Sequence, residues 1–238
     1  MIRPIALLTG LLLSLAAPAA QAAALQVVPV LLDVASPTVA TSIRVTNAGT
    51  APITVQVRVF RWTQVNGEDV LEPTTAVVVS PPIATLQPGL ENTVRVIRTA
   101  TTPVVGEEAY RLLVDELPEP ATAREGGVNL LIRHSIPVFF SAAPTLPDLR
   151  WSVVPTGGGY AVTASNAGQR RIRIADLELQ DAGGRVVAGR GGLAGYVLGG
   201  SSVTWVLTGS GLAPGSNASI AARSEAGLFI APVQLSGG

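Results

Sequence analysis

Cysteine is absent from this 238-residue chain. Disulfide bonds and thiolate metal sites are therefore excluded, so packing must provide the stability. Histidine occurs once, as His134, inside an alternating strand pattern. A single imidazole argues against histidine metal clusters and against a histidine-assisted serine or threonine nucleophile. We expect His134 to be a polar residue on a sheet face, and we expect no metal and no cofactor.

The acidic residues offer no cooperating acid and base. Three carboxylate pairs occur, and each consists of neighbours in sequence: Glu68-Asp69, Glu107-Glu108 and Asp115-Glu116. Adjacent side chains of a strand point to opposite faces, so such a pair cannot act on one substrate. We therefore predict that the protein is not an enzyme.

Lysine is also missing, and the 16 basic residues are all arginines that balance 16 acidic residues. Because the formal charge is zero, no broad basic field is available to attract nucleic acid. Charged residues make up 13% of the chain and hydrophobic residues 47%. This composition favours a compact β protein with adhesive surfaces over a disordered chain.

Long apolar runs are confined to the N-terminus. Arg3 precedes an apolar stretch over residues 5–17, and Ala20-Gln21-Ala22 matches a small-x-small cleavage site. Residues 1–23 are therefore predicted to be an export signal. No later segment has about 20 uninterrupted apolar residues. We expect an exported protein with no membrane span once the signal is removed.

Short alternating runs separated by turn residues fill the rest of the chain. Examples lie at 42–47, 54–60, 93–97, 151–154, 171–175 and 202–207. A period of two is typical of half-buried strands, and no long segment has the three-to-four residue period of a helix. The sequence therefore predicts an all-β protein.

Pro144 and Pro147 interrupt this series and predict a stiff linker. Asn166-Ala-Gly168 after the break repeats Asn47-Ala-Gly49 before it. We interpret the repeat as one strand-to-turn corner that occurs in two related sandwiches. The predicted organisation is a first immunoglobulin-like domain over 24–141, a linker over 142–148 and a second immunoglobulin-like domain over 149–238.

The stretch over residues 128–139 has apolar residues on both faces of a predicted strand, which is more than one sandwich core needs. Val128, Leu130 and Ile132 alternate within it. They are either core residues of a terminal strand or side chains offered to a partner. The residues taken alone favour the first interpretation.

A series of short motifs carries a resemblance to a known family. In chain order the motifs are Pro29-Val30, Asn47-Ala-Gly49, Phe60-Arg-Trp62, Asn66-Gly67-Glu68, Ser80-Pro-Pro82, Leu86-Gln-Pro-Gly89, Val94-Arg-Val, Tyr110-Arg-Leu, Glu116-Leu-Pro118 and Ile136-Pro-Val-Phe139. Each motif is weak, but their order is specific. The chain resembles the periplasmic chaperones of the chaperone-usher pathway, the PapD-like family.

The resemblance implies an ATP-independent chaperone of the periplasm, with two immunoglobulin-like domains set at an angle and a cleft between them. Such a chaperone binds, folds and caps pilin subunits and delivers them to an outer-membrane usher. It donates a strand of its first domain, an established case of β-strand addition. Here Val128, Leu130 and Ile132 would enter the pilin groove, while Leu131 and the residues after Ser135 would hold the strand to its own domain. Self-association of the free chaperone stays open.

Chaperones of the best-known type also hold the C-terminal carboxylate of the pilin with one arginine and one lysine. The resemblance places these two positions at Leu31 and Pro137, which are not basic. This departure indicates an archaic or alternative branch of the family. A guanidinium can bind a carboxylate through two parallel hydrogen bonds. Arg95, Arg98, Arg111 and Arg133 are the nearby candidates by sequence. Since the resemblance assigns Arg95 to an interdomain pair, we prefer Arg98 and Arg111 as the carboxylate anchors.

Arg95 and Glu116 match a pair that bridges the two domains in the family. We expect them to form an ion pair that orients the domains near the cleft. Loss of one partner should then leave a charge without compensation at the junction and loosen the angle between the domains.

The competing interpretation is a stand-alone exported immunoglobulin-like protein with a structural or adhesive role. The two interpretations differ in their partners. A chaperone requires pilin subunits and an outer-membrane usher, whereas a stand-alone module requires neither. Neighbouring reading frames of those two kinds would favour the chaperone.

Overall fold

The computed structural model describes residues 25–118 and 131–236, and within these ranges every regular element is a β-strand. The prediction of an all-β protein is therefore confirmed. The strands form two sandwiches, and no ladder in the described ranges joins a sheet of one to a sheet of the other. No helix long and apolar enough to span a membrane occurs in these ranges.

The first sandwich contains ten strands in its described part. They are β1 (Leu25–Val28), β2 (Leu32–Ala35), β3 (Ala40–Asn47), β4 (Ile53–Val65), β5 (Glu68–Pro73), β6 (Val77–Ser80), β7 (Ile83–Leu86), β8 (Glu91–Arg98), β9 (Glu107–Leu117) and β10 (Arg133–Ser141). One sheet has the order β1-β3-β8-β6. The other has the order β2-β10-β9-β4-β5, with β7 also paired to β4.

The second sandwich contains seven strands in its described part. They are β11 (Leu149–Thr156), β12 (Gly159–Asn166), β13 (Ile172–Asp181), β14 (Val186–Val197), β15 (Ser202–Thr208), β16 (Asn217–Ser224) and β17 (Gly227–Gln234). Its sheets have the orders β11-β12-β15 and β14-β13-β16-β17. Both sandwiches are open, as in immunoglobulin-like domains.

The alternation of the sequence produces two separate hydrophobic cores. On β8, Val94 and Val96 are fully buried while Thr93 and Arg95 between and beside them are exposed. On β15, Val203, Trp205 and Leu207 point into the second core in the same way. Each strand thus faces its own core with every second residue. Each sandwich can bury its own apolar surface.

The two asparagine corners make matching hydrogen bonds. Asn47 Nδ2 donates to the carbonyls of Ala51 (2.8 Å) and Leu86 (3.0 Å), and its Oδ1 accepts from Gly49 N (2.9 Å). Asn166 uses the same atoms toward the corresponding positions, at 2.7 and 3.2 Å and with 3.0 Å to Gly168 N. Both side chains are buried. The predicted equivalence of the two corners is confirmed.

Both faces of β10 are buried along its second half, as the sequence predicts for this stretch. Ile136, Val138 and Phe140 point into the first core. Phe139 points the opposite way and is also fully buried. A second apolar layer must therefore cover the outer face of this sheet, and that layer comes from the second sandwich.

Candidate functional site

An aromatic cluster lies where the two sandwiches meet. Trp62 of β4 and Phe139 of β10 have ring centroids 5.8 Å apart. Tyr196 of β14 lies 5.7 Å from Trp62 and 5.9 Å from Phe139. Leu198 from the second sandwich is buried in the same cluster. Aromatic pairs at these separations stabilise a contact beyond their area alone, so the junction is a packed interface.

Charged and polar groups surround this cluster. The side chain of Arg171 is 2% exposed and makes ion pairs with Glu107 and with Asp33, the latter at 2.8 Å. Gln64 reaches across as well, because its Nε2 donates to Tyr196 O at 2.8 Å and its Oε1 accepts from Leu198 N at 2.9 Å. The second sandwich is thus held by directional bonds in addition to apolar contact.

The structure does not bring Arg95 and Glu116 together, so the predicted interdomain pair is wrong. Arg95 is exposed on β8, in the sheet that lies away from the junction. Glu116 lies near the end of β9, in the opposite sheet, and no ion pair in the described part of the chain includes either residue. The bridging contact uses Arg171 and Glu107 instead.

Arg98 has its hydrogen-bond donors engaged inside the first sandwich. Its Nε and Nη2 donate to Glu108 at 2.8 Å each, and the guanidinium also donates to the carbonyls of Ala100 (2.6 Å) and Thr102 (2.8 Å). The residue is 6% exposed. A guanidinium that is buried and already makes bidentate hydrogen bonds has no donors available for an incoming carboxylate. The structure therefore corrects the choice of Arg98 as an anchor and makes it a structural residue.

Arg111 lies on β9, in the other sheet of the first sandwich, and its side chain is on the face opposite the first core. In the ladder it stands directly opposite Pro137 of β10. Its guanidinium carbon is 3.7 Å from the centre of the Trp62 ring. Its ion pair with Asp69 is loose, at 3.5 Å. Burial lowers the pKa of Arg111 below its usual range, with Asp69 opposing this effect. A partly desolvated arginine with a distant counter-ion favours an additional anion.

Two of the three predicted donor residues, Val128 and Leu130, lie outside the described residues. Ile132 is half-buried, and its carbonyl accepts a hydrogen bond from Glu116 N at 3.0 Å. By the alternation of a strand, Ile132 shares the inward face with Ile136. Leu131, on the other face, is 46% exposed. The inward side of this strand is therefore the side that continues the core.

One edge of β10 is only partly covered. On one side β10 pairs with β9 along its whole length, and on the other it pairs with β2 along Val138–Ser141 alone. Over 133–137 no strand in the described ranges covers this second side. Since Ile132 bonds to β9, the backbone groups of Arg133 and Ser135 point away from β9, toward the uncovered side. We call residues 133–137 the free edge.

The free edge is bounded by a proline at one end and by an open groove at the other. Pro137 lies where pairing with β2 stops, and it has no N–H to offer on that side. At the other end an open groove of about 350 Å³ includes Leu131, Ile132, Asp115 and Arg133 in its lining. Between them, His134 Nε2 donates to Leu25 O across the sandwich, at 3.1 Å. His134 thus has the structural role expected from its place in a strand.

The free edge has the properties of a strand-pairing site. Within the described ranges, the backbone donors and acceptors on its uncovered side have no strand partner, and apolar side chains lie beside them. Such an edge is a template for pairing with another chain. The described residues contain no group of three or more histidine, aspartate or glutamate side chains that could hold a metal ion.

Comparison with solved structures gives chaperones as neighbours. The chaperone in the CsuC–CsuE chaperone–tip adhesion subunit pre-assembly complex, from the archaic chaperone-usher Csu pili of Acinetobacter baumannii, is 25% identical with a TM-score of 0.69. The likeness covers 90% of this chain and 100% of that one. The YadV chaperone is 16% identical with a TM-score of 0.63, over 90% of this chain and 100% of its own.

A third neighbour comes from Salmonella enterica, where the SafB chaperone was solved in complex with the SafA pilin. It is 19% identical with a TM-score of 0.59, over 87% of this chain and 95% of that chain. No curated protein matches the sequence significantly. The profile of the pili and flagellar-assembly chaperones, PapD N-terminal domain, matches residues 24–144. The chain therefore belongs to the PapD-like family of pilus chaperones of the chaperone-usher pathway.

Proposed function

We propose that this protein is a periplasmic chaperone that binds, folds and caps pilin subunits by donating a β-strand, and that it delivers them to an outer-membrane usher. Family membership supports the chaperone class, and the chaperones of this pathway are periplasmic. The free edge of β10 supports the mode of binding. It is the observation that carries the proposal.

The physical basis is that the pilin lacks a strand and the chaperone has a strand edge available to replace it. A pilin that lacks its last strand exposes an apolar groove and an unpaired edge, and both promote aggregation. The free edge can supply main-chain hydrogen bonds to such an edge. The inward alternation that ends at Ile132 can supply apolar side chains to the groove. We extend this role to Val128 and Leu130 from the sequence alternation.

Arg111 is the proposed anchor for the C-terminal carboxylate of the pilin. It lies beside Pro137, on the face opposite the first core, and its present counter-ion Asp69 is 3.5 Å away. A closer carboxylate would make bidentate hydrogen bonds that Asp69 does not make at this distance. Stacking on Trp62 holds the guanidinium in place without using its in-plane donors.

Co-purification tests the proposed function. The chaperone is expressed in the periplasm with pilin-like subunits from its own genome, and the retained subunit is quantified. Replacing Leu130 and Ile132 together by Asp should reduce retention strongly, since each buried aliphatic side chain contributes about 1.5–3 kcal/mol. The melting temperature should change little, because these side chains fill the partner's groove. Val206→Asp is the matched control, as Val206 is 73% exposed on β15 of the second sandwich.

Three outcomes would contradict the proposal. Unfolding of the double variant would assign these residues to the chaperone's own core. Undiminished retention would show that capture uses another surface. Absence of any complex between wild type and every pilin tested, together with recovery of the protein at the cell surface, would favour the stand-alone structural or adhesive protein.

A further inference from the structure

Asp115 joins three neighbouring strands at the end of the sheet where the free edge begins. It lies on β9 and is 7% exposed. Its Oδ2 accepts from Nη2 of Arg58, on β4, at 2.6 Å. Its Oδ1 accepts from Nε of Arg133, the first residue of β10. No role in the capture of a subunit described above uses this carboxylate.

The hydrogen bonds of Asp115 are specific to one alignment of the strands. Arg133 stands directly opposite Asp115 in the ladder. Because the neighbouring pair Glu116 and Ile132 is the hydrogen-bonded one, Asp115 and Arg133 form a non-hydrogen-bonded pair, whose side chains lie closest together. A shift of two residues would place Arg133 opposite Leu113 or Leu117 and leave Asp115 without one of its two arginines.

Alignment matters here because the residues before Arg133 must meet a partner with a fixed face. A slip of one residue moves every side chain of a strand to the opposite face. Ile132 would then turn outward and Leu131 inward. On the far side of Ile132 the structure describes no further backbone bond to β9, so the Asp115–Arg133 pair is the last side-chain contact that fixes the alignment.

We propose that Asp115 is a positioning residue that, through Arg133, fixes the register with which the donated segment leaves β10. This inference rests on the proposed strand donation. It assigns no contact between Asp115 and the subunit. Loss of the pair should therefore change the strand register but hardly change the free energy of unfolding. The Arg133 side chain is 60% exposed, and exposed ion pairs contribute little to that free energy.

The test uses Arg133→Gln, which removes one charge at the surface, and Asp115→Asn. Hydrogen exchange is measured at the amide of Glu116, which donates to Ile132 in the wild type. We expect exchange there to accelerate about tenfold and subunit capture to slow about tenfold, the effect of one lost charge-assisted hydrogen bond. The melting temperature of Arg133→Gln should stay close to that of wild type, because its side chain is largely exposed. Glu91→Gln is the control, since Glu91 forms an exposed pair with Arg44 on the opposite sheet, at 3.9 Å.

A disulfide provides the rescue that distinguishes positioning from direct contact. The same register places Leu117 opposite Leu131, in the next non-hydrogen-bonded pair, where a disulfide fits best. The chain has no cysteine of its own. The two cysteines introduced by Leu117→Cys and Leu131→Cys can therefore form only one intramolecular disulfide. In the Arg133→Gln background the oxidised pair should restore capture, and reduction should abolish the rescue.

Two results would overturn the inference. One is unchanged exchange at the Glu116 amide in both variants. The other is slow capture that the disulfide leaves uncorrected, which would indicate that Arg133 contacts the subunit directly. If wild type captures no pilin at all, the proposed function fails, and exchange at the Glu116 amide alone then decides whether Asp115 fixes the register.

Discussion

The guanidinium of Arg171 stacks on the ring of Phe139, with 3.6 Å between its central carbon and the ring centre. Arg171 belongs to the second sandwich, while Phe139 lies on β10, the strand that carries the free edge. The same guanidinium pairs with Glu107, whose side chain is 3% exposed. The end of β10 at Phe139 is therefore fixed by a buried interdomain contact, while no strand in the described ranges covers its other end at 133–137 on the side away from β9.

Removal of Arg171 should uncouple the two sandwiches. Arg171→Ala leaves Glu107 buried without its main partner, a change that typically costs about 3–5 kcal/mol. We expect a lower melting temperature and a broader distribution of overall shapes in solution scattering. Arg170→Ala is the control, because Arg170 pairs with the same Asp33 but is 37% exposed. Equal effects of the two variants would show that the buried contact has no special role.

Arg98 and Arg111 should have separable effects. Arg98→Ala should lower the free energy of unfolding, because Glu108 loses its charged donor and the carbonyls of Ala100 and Thr102 lose theirs. Arg111→Ala should leave melting nearly unchanged and weaken retention of the pilin by about tenfold, as expected for a lost charged hydrogen bond. Arg111→Lys should restore retention only in part, since an ammonium lacks the planar fork.

Amidation of the pilin C-terminus supplies the control for this prediction. If Arg111 binds the terminal carboxylate, a pilin with an amidated C-terminus should bind wild type and Arg111→Ala equally. A difference that survives amidation would show that Arg111 recognises another group.

Glu108 should make stability sensitive to acid. Hydrogen bonds from Arg98, against the opposing effect of burial, hold the pKa of Glu108 below its usual range. Because the folded-state pKa is lower than the unfolded value of about 4.3, the stabilisation is complete above that value and is lost as pH falls through the folded-state pKa. Denaturant unfolding should therefore show a steep loss below about pH 4 in wild type and a flatter acid limb in Glu108→Gln. Parallel profiles would contradict this assignment.

The two asparagine corners should stabilise their own sandwiches. Asn47→Ala leaves two carbonyls and one backbone N–H without this partner. Asn166→Ala leaves two carbonyls and two backbone N–H groups, those of Gly168 and Asp148. Each such group that stays buried costs about 1–3 kcal/mol. Hydrogen exchange should accelerate in the first sandwich for Asn47→Ala and in the second for Asn166→Ala. Exchange that accelerates equally in both sandwiches would show that the corners do not act locally.

Features with a local sequence signal could be predicted. Strands follow from the period of two, and the corners follow from the repeated Asn-Ala-Gly. The apolar residues on both faces of β10 were also visible, because Phe139 interrupts a polar outer face. Each of these signals lies within a few residues of chain, where the backbone alone fixes which side chains share a face.

The ion pairs could not be predicted, because their partners are distant in sequence. Arg171 and Glu107 are 64 positions apart and lie in different sandwiches. The local sequence around an arginine that another domain buries looks the same as the sequence around an arginine that stays on the surface. The mistaken pair of Arg95 and Glu116 illustrates this, since their family-like spacing gave no information on which sheet each would occupy.

Arg98 shows a second limit of sequence reasoning. An arginine near a predicted cleft is equally compatible with an anchor and with an internal bond. The choice depends on whether a carboxylate of the same domain is within reach, and here Glu108 of the neighbouring segment is. In the described part of the chain the ion pair of Arg111, with Asp69, is longer, at 3.5 Å, and the anchor role of Arg111 stays a prediction.

The most direct test of strand donation is residue-resolved hydrogen exchange of the chaperone, free and bound to a pilin. The amides of Arg133 and Ser135 face the uncovered side of β10, whereas the amide of His134 faces β9. We expect the complex to slow exchange at Arg133 and Ser135 by about a hundredfold or more, with little change at His134. Equal exchange at Arg133 and Ser135 in the free and bound protein would contradict strand donation along this edge.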